Sequence, residues 1–110
     1  MMQVVDTYTA RVYPAGDIET AKRWLRRHCY EHGLCVTVEP TTFIYTGGEE
    51  TGLVAGLVNY PRFPSTPAEV FERARHIAEA LVVECCQTAA LVVGTDRTAW
   101  IRVMPPGAAS

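Results

Sequence analysis

Residues 45–67, Tyr45 to Pro67, read YTGGEETGLVAGLVNYPRFPSTP, and this stretch decides the fold. From Leu53 to Tyr60 both alternating sets are apolar: Leu53, Ala55 and Leu57 on one side, Val54, Gly56 and Val58 on the other. A strand apolar on both sets is expected to be central in a sheet or at a subunit contact. Gly47, Gly48, Glu49 and Glu50 read as a polar turn that folds this strand back on a strand at 42–46. Pro61, Pro64 and Pro67 stop the ladder, because proline donates no N–H, so the chain leaves the sheet at Tyr60 and crosses to a helix.

Outward from this stretch the elements follow in order. Residues 4–13 have strand composition, closed by Pro14-Ala15-Gly16. Asp17 is an N-cap, and Ile18, Ala21, Leu25 and Cys29 recur at helical spacing with Lys22, Arg23, Arg26 and Arg27 opposite, up to Gly33 as the stop. Residues 34–38 and 41–46 read as two strands about a Glu39-Pro40 turn. Thr66-Pro67-Ala68-Glu69 is a capping-box start, followed by the apolar stripe Val70, Phe71, Ala74, Ile77, Ala78, Leu81, Val82 and Cys85. Strands at 89–93 and 98–103 close the chain. The expected fold is α+β: an antiparallel-rich sheet of about six strands with two helices on one face. One domain over 1–104 is expected, with pseudo-repeats 1–48 and 49–104 of a strand–helix–strand–strand unit and a frayed tail at 105–110.

Composition excludes several classes. The 110 residues carry a net charge of −2, which gives no basic footprint for nucleic acid. No apolar run is long enough to span a bilayer and no signal-peptide pattern is present, so a cytoplasmic protein is expected. The four cysteines lack the spacing of a zinc knuckle and read as thiols. His28, His32 and Cys35 are the one place where a metal is arguable, against the plainer reading of histidines complementing a helix C-terminus. No metal and no cofactor are expected.

No GxSxG, HExxH, GxxxxGK[ST] or GxGxxG motif occurs, and no catalytic residue is assigned. The candidate ligand- or partner-binding residues fall in two groups. Tyr45, Trp100 and Arg102, with Phe43, alternate onto the sheet face away from the helices, where aromatic and guanidinium surfaces can stack a nucleobase or anchor a protein. Glu49, Glu50, Asn59, Tyr60, Arg62 and Phe63 form the loop group, in which Asn59 either satisfies the crossover backbone or meets a ligand.

The strand–helix–strand–strand order, taken twice, resembles the paired modules of gyrase-inhibitor-like and SOUL-type proteins. The run YTGGEETGLVAGLVNYPRFP is similar to small accessory proteins carried by phages and prophages. That resemblance implies a virus-encoded accessory protein that binds and inhibits a host protein such as a defence component; the absence of catalytic motifs and the two-sided apolar strand add the expectation of a non-enzymatic homodimer. Two alternatives stand beside it: a binder that sequesters a small nucleotide-like ligand, and a small enzyme whose site no motif announces.

Overall fold

The computed structural model describes residues 1–103. The elements are β1 (Thr9–Tyr13), α1 (Ile18–His32), β2 (Thr37–Tyr45), β3 (Gly48–Val58), α2 (Pro67–Glu84), β4 (Ala89–Gly94) and β5 (Thr98–Arg102). The strands form one antiparallel sheet in the order β2-β3-β1-β4-β5. Both helices cover one face, and a single core cluster joins Ala21 and Leu25 of α1, Val70 to Val82 of α2, and the inward residues of the strands.

Local chemistry sets the helix bounds. The Asp17 carboxylate accepts from the Thr20 N–H at 3.0 Å, and Gly33 closes α1 in the left-handed region at φ 65. On α2 the Thr66 hydroxyl accepts from the Glu69 N–H and the Glu69 carboxylate accepts from the Thr66 N–H, the reciprocal capping box. Val70, Ala74, Ile77, Ala78, Leu81 and Val82 then run along the buried side of α2 against Ala10, Val12, Leu53, Ala55, Ala90 and Val92.

The sheet has five strands, one fewer than the sequence predicts. Residues 37–45 are one strand that runs through Glu39-Pro40, because β2 is an edge strand, the setting in which a missing N–H is tolerated. The turn between β2 and β3 is shorter than expected: Tyr45 pairs Gly48 across a two-residue Thr46-Gly47 loop, with Gly47 at φ 91. Glu49 and Glu50 are therefore in the ladder, opposite Ile44 and Phe43. The strand predicted as central, β3, lies second, and β1 takes the centre. Leu53, Ala55 and Leu57 are buried under the helices, whereas Val54 and Gly56 are half-buried and Val58 is exposed on the open face. Residues 4–8 precede β1 without pairing as a strand; the buried Tyr8 hydroxyl donates to Asp96 at 2.8 Å. Burial and that carboxylate push the Tyr8 phenol up from its ordinary pKa. The expected tail at 105–110 lies outside the described residues.

Candidate functional site

The open face of the sheet carries the first hollow. Register places Phe43 opposite Glu50, and Tyr13 and Trp100 on either side of Leu91. Since cross-strand partners share a face, these side chains meet over the uncovered side of the sheet. They enclose about 400 Å3, with Gln87, Thr88 and Ala89 completing the wall. Gly52 makes the geometry possible: a Cβ there would collide with the Phe43 ring and the Pro14 carbonyl oxygen. The segment after β1 is drawn onto β3 at this point, where Leu53 N–H donates to Pro14 O at 3.1 Å and Gly16 N–H to Thr51 O at 3.0 Å. Three aromatic rings and one carboxylate thus surround a concave apolar floor, an arrangement able to stack a flat ring and attract a positive charge.

The sequence candidates separate into distinct places. Glu50 and Trp100 line the open-face hollow, together with Phe43. Glu49 is displaced to the opposite side of the strand by the alternation of side chains, so the two adjacent carboxylates do not act as a pair. Tyr45 lies at the exposed hairpin tip beside Gly48, and Arg102 follows Trp100 by two residues on β5, opposite Ala89. Asn59 is buried; its amide donates to Asp6 O at 2.9 Å and accepts from Ser65 N–H at 2.8 Å, which fastens the crossover at both ends. Tyr60, Arg62 and Phe63 line a second hollow of about 290 Å3 at the other end of β3.

Sequence reasoning passed over Tyr13, Gln87 and Arg73 and weighed Cys35 only as a metal ligand, yet all four line one hollow or the other. Tyr13 was hidden because nothing local says that β1 stands between β3 and β4. The signal that would have placed Glu50 was Gly47, whose left-handed backbone permits the two-residue turn and hence the Phe43–Glu50 register.

The histidines form a stack between the helices. His28 lies 4.5 Å from Trp24, 4.4 Å from His32 and 5.4 Å from His76 of α2, centroid to centroid. Burial, then the neighbouring His32 and His76, push the His28 pKa down. Cys35 stands apart from this stack, with its Sγ 3.1 Å from the Tyr60 hydroxyl. Among the described residues no group of three His, Cys, Asp or Glu side chains is arranged to hold a metal ion, and no helix is long and apolar enough to cross a membrane.

No known protein family and no curated protein sequence matches the chain. Two solved structures of a phage SAM lyase do match its fold. The apo form superposes with a TM-score of 0.69, and the complex with S-methyl-5'-thioadenosine with 0.67. Each is 11% identical in sequence and covers 94% of this chain and 96% of the other. At that identity the likeness shows the fold. A fold shared with a phage protein agrees with the coarser resemblance to small phage proteins. It corrects the expectation of a non-enzymatic inhibitor whose partner is a host protein: the structures that share this fold are those of an enzyme, with and without a small ligand. The expected inhibitor and homodimer roles find no support in these neighbours.

Proposed function

We propose that this chain binds a sulfur-bearing nucleoside of the SAM and S-methyl-5'-thioadenosine type in the open-face hollow, and that it cleaves the sulfonium form. The observation that carries the reading is the meeting of Tyr13, Phe43 and Trp100 with the single carboxylate of Glu50 in one concavity. A fold shared over 94% of the chain with a SAM lyase supports it.

Each part of the ligand has a counterpart. Adenine offers a flat face to the exposed Trp100 indole or the Phe43 ring, and base stacking on an aromatic is worth about 1–3 kcal/mol. The sulfonium is a fixed cation, attracted both by ring faces and by the Glu50 carboxylate. Gln87 and Thr88 can hydrogen-bond the polar amino-acid tail. Cleavage that leaves S-methyl-5'-thioadenosine breaks the bond from sulfur to the γ-carbon of that tail, and the electron pair passes to sulfur and cancels its charge. The tail's own carboxylate oxygen can form the new bond to the γ-carbon, closing a lactone ring. That step transfers no proton, so it needs chiefly a site that folds the tail back on itself.

Calorimetry with SAM and with S-methyl-5'-thioadenosine, beside chromatography of SAM incubated with the protein, tests the reading. Both ligands should bind, and SAM should yield S-methyl-5'-thioadenosine. Trp100→Ala should weaken both by roughly tenfold or more, whereas Glu50→Gln should weaken the cationic ligand selectively. Saturable binding without turnover would leave a sequestering protein. Failure of both ligands to bind at millimolar concentration would overturn the assignment.

A further inference from the structure

The end of β3 remote from Glu50 carries a second concavity whose chemistry differs from the first. From Glu50 to Val58 the strand runs about 27 Å at an extended rise of roughly 3.4 Å per residue, so the two hollows are separate. Its floor is Leu34, Leu57 and Val70, and its walls include Phe63, Tyr60 and Cys35. Two guanidinium groups border it: Arg62 from the crossover and Arg73 from α2.

The backbone holds these groups in place. Phe63 N–H donates to Tyr60 O at 3.0 Å, closing a tight turn with Pro61 and Arg62 at its corner, and the buried Asn59 fixes the segment on either side of that turn. Arg62 lies 5.4 Å from the centroid of the Phe63 ring. Arg73 donates to the Ser65 hydroxyl at 2.8 Å, which orients its planar fork toward the crossover. Among the described residues the ion pairs involve Lys22, Arg75 and Arg97; neither Arg62 nor Arg73 has a carboxylate within pairing distance. Of the carboxylates near Arg73 along α2, Glu72 pairs with Arg75, and Glu69, one turn earlier, accepts from the Thr66 N–H in the capping box while Arg73 helps to hold its pKa down. Among the described residues two cations thus border one apolar hollow with no carboxylate in ion-pair contact with either.

We infer that this hollow is a second ligand site, which takes a small anion with a flat apolar body, an aromatic carboxylate or phosphate monoester. The ring packs against Phe63, Leu57 and Val70, and the anionic oxygens receive N–H bonds from Arg62 and Arg73, the geometry for which guanidinium is suited. The site stands independently of the reading given to the open-face hollow.

Phenyl phosphate is the probe, with phenol and inorganic phosphate as its two halves, followed by amide NMR. Phenyl phosphate should move the resonances of Tyr60, Phe63 and Arg73 saturably and slow the alkylation of the exposed Cys35 thiol at the rim, measured on its peptide by mass spectrometry. Inorganic phosphate should bind more weakly, and phenol should leave the same resonances in place. Arg62→Gln and Arg73→Gln should each weaken binding by roughly tenfold, while Ser65→Ala, which removes the tether and keeps both charges, should stay within a few-fold of wild type. Equal binding of phenol, unchanged affinity in the doubly substituted Arg62→Gln/Arg73→Gln protein, or no saturable shift at these residues would overturn the assignment. S-methyl-5'-thioadenosine reports on Trp100 in the same spectra, so failure at one hollow is distinguishable from failure at the other.

Discussion

Alternate residues of the same strands face two different environments. Ala10, Val12, Leu53, Ala55 and Val92 point under the helices and are 0% exposed, whereas Trp100, on the other side of the same sheet, is 63% exposed. Tyr13, Val54 and Leu91 on that side are half-buried. The covered side holds the fold together by close packing of aliphatic side chains. The open side keeps large rings at a surface that none of the described residues covers. Parity along a strand thus separates residues that sustain the fold from residues available to a ligand.

The sharpest way to break this contrast is to shorten neighbouring residues of β3. Leu53→Ala should lower the unfolding free energy by about 3 kcal/mol, as expected for a buried leucine cut back in a packed core. Val54→Ala, one residue on, should lose under about 1 kcal/mol. Urea titration reads both, and equal losses would mean that the open side is packed as tightly as the covered one. Asn59→Ala comes next, at about 2 kcal/mol, because it strands the Asp6 carbonyl and the Ser65 N–H at the crossover. A thermal midpoint unchanged in that variant would show that water replaces both bonds.

A smaller effect belongs to the helix interface. Because the folded His28 pKa is depressed, the unfolded chain takes up the proton first as the pH falls past about 6.5. Stability should therefore be full above that pH and decline below it, until His28 itself titrates in the folded protein. His28→Gln should flatten the acid side of a plot of melting temperature against pH; an unaltered slope would assign the acid sensitivity to other groups. The smallest effect is predicted for Trp100→Ala, within about 0.5 kcal/mol of wild type, even though the same change should abolish most nucleoside binding. A large destabilisation would place Trp100 with the core residues and erase the contrast.

The helices were legible because their signals are local. Asp17, Gly33 and the Thr66–Glu69 box each announce a terminus within four residues of sequence. Strand partition was less legible. Pro40 ends a strand in the middle of a sheet but not at its rim, and which strand lies at the rim is decided by distant pairing. The same limit hid the ring of residues around the open-face hollow: Phe43 and Trp100 could be assigned to one face by alternation, but Tyr13 enters only through the non-sequential order β2-β3-β1-β4-β5. Glu50 was singled out for the wrong reason, as a turn carboxylate beside Glu49, when its register with Phe43 is what gives it a neighbourhood.

The last backbone support for β3 from the centre of the sheet is at Thr51 to Leu53, where residues 14–16 meet it. From Glu50 outward the strand pairs with β2 alone, so the hairpin beyond that point is a two-stranded arm. Such an arm can open without disturbing the core. Its amides at 43–50 should accordingly take up deuterium well before those at 53–57. Glu50 and Phe43, at the root of this arm, then form a wall whose order depends partly on what it encloses, and an occupant that contacts both would slow exchange along the whole hairpin.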